Sequence, residues 1–370
     1  MNIGIPKEIM TGEGRVALMP EACQSLVKAG HSVFVEKSAA LNSGYTDLDY
    51  KQMGAELVDT AQQLYGSSQL IVKVKQPLAQ DIACLRSDHV LFSYLHLAAD
   101  LSLIKTLCDI GISAIPFESV TDEQGGLPLL APMSQVAGRI AVMRGASLLF
   151  RNRGGRGVLL GGIDGSDAGR VVVLGAGVAG SHAVAVAAAL GAKVDVLDLD
   201  ENKLKQLKRQ HPSIKTYLST AEIVETLCVE ADLVIGAVLL AGRRAPVVLK
   251  RSVVKQMHAG SVIVDIAIDQ GGCVEGIHAT SSEELCYLDQ GVIHTAVPNM
   301  PATVARTASQ SLSSIILPYV EALAGSDLNV MAESISPELT ALYRGLALYQ
   351  GEVVDEVLLH EIETTQGVMV

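Results

Sequence analysis

Glycines at 175, 177 and 180, an aspartate at 198, and four polar residues elsewhere, Arg15, Lys75, His96 and Asp269, combine residue type and placement in ways that suit chemistry. The glycines fall as G-x-G-x-x-G between the β-branched run 171–174 and an apolar, Ala/Val-rich segment at 178–190 that reads as a helix. In that context the first glycine turns the chain, the second lets backbone approach a pyrophosphate, and the third lets helix pack on strand. The helix N-terminus points unpaired N–H groups and a positive dipole end at the phosphates. A second strand, 193–197, delivers Asp198 about 20 residues on, where a carboxylate accepts hydrogen bonds from a ribose diol. A carboxylate there repels a 2′-phosphate, so NAD(H) is favoured over NADP(H).

A dinucleotide site supplies hydride chemistry without saying to what. The substrate must be read from polar groups where strands end, because open α/β sheets bind ligands at the C-terminal ends of their strands. Arg15 lies in the polar loop 11–16 after the first strand, Lys75 directly follows 71–74, His96 follows 90–95, and Asp269 follows 262–268 just before Gly271-Gly272. Arginine can hold a carboxylate by a bidentate pair, and lysine can polarise a carbonyl. Histidine titrates near neutrality, and aspartate can share proton transfer. Together they suit a small keto or amino acid. Each also has a plainer reading: Arg15 and Lys75 as solvated charges, His96 as a satisfied core histidine, Asp269 as a turn cap before Gly271.

The elements that must position these groups follow from hydrophobic period. Residues 2–5, 32–36, 69–74, 89–94 and 113–117 read as strands, with helices at 21–29 and 101–110. Alternating strands and helices imply a parallel sheet covered on both faces, so 1–134 is an α/β unit without a G-x-G-x-x-G. A helix at 134–150 bridges into a second unit, about 135–303. Its later strands are expected at 215–217, 233–237, 261–266 and 292–297, with helices at 220–227 and 249–257. Beyond Pro301 the pattern predicts helices at 304–323 and 338–349. Pattern alone leaves open whether they close the second unit or return to the first.

Composition limits the alternatives. A chain of 370 residues exceeds what one core serves, and 49% hydrophobic with 18% charged residues describes a globular chain. With aromatics at 4% and no tryptophan, packing rests on Val, Leu, Ile and Ala. A net charge of −12 argues against a nucleic-acid partner, and the short run of Arg151, Arg153 and Arg156 among glycines reads as a basic loop. The uncharged stretch 171–192 is long enough to span a bilayer, but its glycines, Ser181 and His182 interrupt it and Arg170 and Lys193 flank it. Six cysteines without a C-x-x-C pair read as buried thiols in a reducing compartment. No signal-peptide pattern opens the chain, so a cytoplasmic location is expected.

Several blocks carry a resemblance. They are Ile5-Pro6-Lys7-Glu8, Glu13-Gly14-Arg15-Val16-Ala17, Val72-Lys73-Val74-Lys75-Gln76-Pro77 and Tyr94-Leu95-His96-Leu97-Ala98-Ala99. Further on come Leu127 to Ser134, Val136-Ala137-Gly138-Arg139, Gly154 to Gly157, Asp265 to Gly272 and Pro298-Asn299-Met300-Pro301. In this order they resemble the alanine dehydrogenase and pyridine nucleotide transhydrogenase family over nearly the whole chain. The resemblance implies two doubly wound Rossmann-like α/β domains with a cleft between them: an NAD-binding domain at 135–303, and a discontinuous substrate domain at 1–134 plus 304–370.

It also implies NAD-dependent oxidative deamination of L-alanine to pyruvate and ammonium, and the reverse. His96 and Asp269 would be catalytic; Arg15, Lys75, Tyr94, Met133 and Asn299 would bind substrate. Ser134, Gly175, Gly177, Val178, Ala179, Gly180, Asp198, Lys203, Ser219, Val238, Leu239, Ile266, Asp269 and Met300 would meet the cofactor, with no metal. A homohexamer is implied by the family. The alternatives are a soluble NAD(H)-binding subunit of a proton-translocating transhydrogenase, and a non-catalytic NAD(H) sensor.

Overall fold

A computed structural model describes residues 1–238, 244–281, 284–326, 328 and 336–367. The chain divides into two compact units, Met1–Pro132 with Ala302–Val370, and Met133–Pro301.

The first unit opens with strands β1 (Asn2–Ile5), β2 (Ser32–Glu36), β3 (Glu56–Val58), β4 (Leu70–Val72), β5 (Val90–Ser93) and β6 (Ser113–Pro116), all parallel in the order β3-β2-β1-β4-β5-β6. Ile3, Ile5, Leu70, Ile71, Val72, Leu91 and Phe92 are wholly buried, because a parallel sheet covered on both faces has no solvent side. The order reverses at β1 and β4, which makes their C-terminal ends the unit's switch point.

The second unit repeats that plan with β7 (Arg170–Leu174), β8 (Lys193–Asp198), β9 (Lys215–Leu218), β10 (Leu233–Gly236), β11 (Val262–Asp265), β12 (Tyr287–Asp289) and β13 (Val292–Thr295). Their order is β12-β13-β11-β10-β7-β8-β9, parallel except for the edge strand β12. Val171 and Val173 enter one core, Val172 and Leu174 the other, the alternation a strand imposes on its two faces. Helix Ala131–Leu148 packs on helix Val178–Ala189 at Gly138, where a Cβ would lie 2.0 Å from the Ala179 carbonyl oxygen. The uncharged stretch 171–192 is thus a strand, a turn and a short helix. Among the described residues no helix is long and apolar enough to cross a membrane.

The chain then returns to the first unit. Helix Ala305–Gly325 offers Ser309 and Ser313, whose hydroxyls accept from the Val16 and Met19 N–H groups at 2.9 Å each. A helix at Pro337–Arg344 leads to an antiparallel hairpin, β14 (Leu348–Tyr349) and β15 (Glu352–Val353), that extends the first sheet beyond β6.

Several local expectations are corrected. The helix expected over 338–349 stops at Arg344, with Gly345 as its C-cap, packed so close to Val120 that a Cβ would meet its backbone at 2.9 Å. The chain beyond then pairs with β6 through Ala347 N–H on the Ala114 carbonyl. Both sheets are therefore mixed, not purely parallel. The helix expected over 249–257 is only Arg251–Val254. Of the cysteines expected to be buried, Cys23, Cys228 and Cys273 are, whereas Cys84, Cys108 and Cys286 are half-buried.

Candidate active site

In the first unit, Arg15, Lys75 and His96 follow β1, β4 and β5, three adjacent strands, at the C-terminal edge of the sheet. Each is held by a carboxylate that the sequence pattern did not single out. Arg15 is 2% exposed, which overturns its reading as a solvated charge; its Nε donates to Glu13 Oε1 at 2.7 Å and its Nη2 to Glu13 Oε2 at 2.5 Å. Glu8 accepts from the Val74 N–H at 2.6 Å and the Lys75 N–H at 3.3 Å, tying the Lys75 loop to the end of β1. Beneath it Lys73, 1% exposed, donates to Asp81 at 2.8 Å, and Asp81 also accepts from the Tyr65 hydroxyl at 2.9 Å. Burial raises the Glu8 carboxyl above its ordinary range, with the Lys73 ammonium opposing it.

Tyr94 is buried and donates to the Leu129 carbonyl at 2.6 Å; burial pushes its phenol up. His96 sits at φ 49° in the left-handed region, which a non-glycine residue occupies at a cost and which clusters at functional sites. Its side chain is 44% exposed, so it is no core histidine. Glu118, on the short turn Phe117–Ser119 after β6, receives its N–H at 2.5 Å.

In the second unit the glycine turn is tightly packed at its first and third glycines and open at the second. Gly175 stands at φ 104°, with the position of a Cβ only 2.6 Å from the Ala237 carbonyl at the end of β10. At Gly180 a Cβ would fall 1.8 Å from the Gly175 carbonyl, whereas at Gly177, the N-cap of helix Val178–Ala189, it would meet nothing within 4 Å. The second glycine therefore faces open space, which fits a phosphate group approaching the helix N-terminus where Val178 and Ala179 follow. Asp198 accepts from the Ala176 N–H at 2.6 Å and the Asp200 N–H at 2.8 Å, one on each carboxylate oxygen. A carboxylate oxygen has a second lone pair for another donor.

Ser219 pairs its N–H with the Asp198 carbonyl, Val238 follows β10, and Ile266 follows β11. Lys203 lies exposed on helix Glu201–Gln210, and Met133 and Ser134 on the first turns of helix Ala131–Leu148. Leu239 lies outside the described residues.

Asp269 is exposed on the turn Ile266–Gln270 and accepts from the Asn299 N–H at 3.2 Å; Asn299 has φ 55°, and Met300 beside it is buried. Capping this turn falls to Asp265 instead. Wholly buried, it accepts from Ala267 at 2.9 Å and Cys273 at 2.8 Å. Burial raises its carboxyl despite those bonds. His96 and Asp269 thus belong to different units, as do the basic residues and the glycine turn. No group of metal-ligating side chains occurs among the described residues.

Two doubly wound sheets, one with a glycine turn at its switch point and one with basic groups at the same place, define an α/β protein of the Rossmann-like class. Family models for the alanine dehydrogenase/PNT N-terminal and C-terminal domains match residues 4–137 and 141–356, and the chain belongs to that family. It is 46% identical to the alanine dehydrogenase of Halomonas elongata over 325 residues, 88% of each chain. A solved L-alanine dehydrogenase superposes with a TM-score of 0.93 at 44% identity, covering 98% of this chain and 99% of that one. A transhydrogenase structure from Sinorhizobium meliloti superposes with a TM-score of 0.82 at 27% identity, covering 96% and 99%.

Proposed function

We propose that this protein catalyses the NAD-dependent oxidative deamination of L-alanine to pyruvate and ammonium, and the reverse reductive amination. The observation that carries the reading is the set of cationic and titratable groups, Arg15, Lys75 and His96, ending three neighbouring strands of a protein that also bears a dinucleotide-type glycine turn. The likeness to alanine dehydrogenases at 44–46% identity, against 27% for the transhydrogenase, favours it over the transhydrogenase reading.

The residues present fit NAD. Gly177 leaves room at the helix N-terminus, Gly175 and Gly180 shape the turn, and Asp198 is oriented by two backbone N–H groups for a ribose diol. Ser134, Lys203, Ser219, Val238, Leu239, Ile266 and Met300 complete the proposed contacts. Bound there, NAD supplies the acceptor for the Cα hydride of alanine.

The chain's own groups do the rest. Arg15, fixed by Glu13, holds the substrate carboxylate by charge-assisted hydrogen bonds. Lys75 binds at the carbonyl or amine end, while Tyr94, Met133 and Asn299 line the site. Loss of hydride leaves an iminium that water attacks, with His96 taking a proton from that water. The carbinolamine collapses to pyruvate as His96 and Asp269 move protons to the departing ammonia. Holding the reactants in line contributes much of the rate. The protein works as a cytoplasmic homohexamer in this reading.

Purified protein should oxidise NADH with pyruvate plus ammonium, followed by loss of NADH absorbance, and not with pyruvate alone. Absence of turnover with any 2-oxo acid would end the reading. Hydride transfer to an NADP analogue only on adding a second subunit would replace it with the transhydrogenase.

A further inference from the structure

We propose that Glu118 is a positioning residue for His96, fixing both the strained backbone beneath the imidazole and which ring nitrogen exchanges protons. The chain leaves β5 with two N–H groups, of Leu95 and His96, that have no strand partner. Both donate to the Glu118 carboxylate, Leu95 at 3.2 Å and His96 at 2.5 Å, while His96 stands at φ 49°.

The same Glu118 Oε1 lies 3.9 Å from His96 Nδ1, and the ring is exposed enough to turn toward it. The Tyr94 ring, itself fixed on Leu129, lies parallel to the imidazole within 12° at a centroid distance of 6.4 Å. A carboxylate only accepts, so the nitrogen that faces it carries a hydrogen, and the opposite nitrogen, Nε2, keeps its lone pair. Glu118 thus leaves Nε2 as the basic nitrogen and neighbours the positive charge once Nε2 is protonated. Its role is that of an orienting carboxylate behind a catalytic histidine.

The inference rests on the reading of His96 as the acid/base, and its test separates the two. Glu118→Gln keeps the size and removes the charge. Pyruvate amination should fall ten- to a hundredfold in kcat with the Kd for NADH unchanged, and in a His96→Asn background the same substitution should change kcat less than twofold. Wild-type kcat in Glu118→Gln, or losses that multiply in the double variant, would overturn the proposal. A readout independent of turnover is the imidazole ¹⁵N spectrum of histidine-labelled protein, with the His96 signals assigned by their loss in His96→Asn. Wild type should show the Nδ1–H tautomer, with Glu118→Gln a mixture. An Nε2–H ring in wild type overturns the inference even if Glu118→Gln fails to fold. A wild-type protein without turnover sinks the catalytic reading instead.

Discussion

The two sheets share one strand order, β3-β2-β1-β4-β5-β6 in the first unit and β9-β8-β7-β10-β11-β13 in the second, yet they equip the same topological position in opposite ways. After β7 the second unit withholds charge: Gly175, Gly177 and Gly180, with only Ala176, Val178 and Ala179 between them, leave backbone and small apolar groups at the switch point. After β1, β4 and β5 the first unit places polar and charged side chains, and each is disciplined by an acid, Glu13 for Arg15, Glu8 for the Lys75 loop and Glu118 for His96. A backbone cradle tolerates any ligand with phosphates, whereas a side-chain cradle reads a small ligand's charges. One scaffold supports both because the strand order fixes where the loops meet and leaves their chemistry to the loops.

The contrast can be broken hardest at Gly180. A methyl group there meets a carbonyl oxygen that cannot move without the turn, so Gly180→Ala should abolish NADH binding and lower the melting temperature by several degrees or more. Gly177→Ala should leave melting unchanged and weaken NADH by about tenfold, roughly 1.4 kcal/mol. Fluorescence titration and thermal unfolding of both variants check this, and equal effects at the two glycines would deny them separate roles.

Arg15→Lys tests the side-chain cradle. It keeps the charge but loses the fork that Glu13 grips, so kcat/KM for pyruvate should drop about a hundredfold, near 2.7 kcal/mol in transition-state binding. NADH affinity should stay within twofold, and a parallel loss of NADH binding would mean that the units are not divided in this way.

A last effect is on stability alone, and again in the second unit. His294 on β13 is 3% exposed, neither ring nitrogen has a hydrogen-bond partner among the described residues, and burial lowers its pKa from 6.5 to about 4. The unfolded chain therefore takes a proton as pH falls below 6.5 while the folded one refuses it until about 4. Stability contributed by the neutral ring is complete above 6.5 and is lost across that window, by at most about 3 kcal/mol. His294→Leu should flatten this acid limb in urea titrations between pH 7 and 4.5, and an unchanged slope would show that the ring is not the group responsible.

Much of the frame is legible in residue order. The β-branched runs at β7, β10 and β11, the glycine triplet and Asp198 announce themselves locally, because period and spacing are local properties. The acids that hold the site do not. Lys73 and Lys75 alternate with valines, and nothing in that local pattern tells their surroundings apart. Only the fold shows that Lys73 is buried against Asp81, or that Glu118, 22 residues from His96, closes on its backbone. Such pairs are set by strand order, to which a hydrophobic pattern is blind. The helix expected over 338–349 failed for the same reason: Leu346, Ala347 and Leu348 suit either state, and the open edge of β6 decides. Helix Glu201–Gln210 was open to sequence reading, since Asp200 caps it and Leu204 with Leu207 marks its buried face.

The hairpin that finishes the first sheet carries a consequence for biosynthesis. Ala347, Leu348 and Leu358 belong to the same apolar cluster as Leu91, Leu107 and Ala114, so that cluster stays open until residues 347–358 have left the ribosome. Residues 133–301 are contiguous and are all available well before then. Vectorial synthesis therefore lets the nucleotide-type half mature while the half begun first still waits, its β6 edge uncovered and in need of protection from other nascent chains.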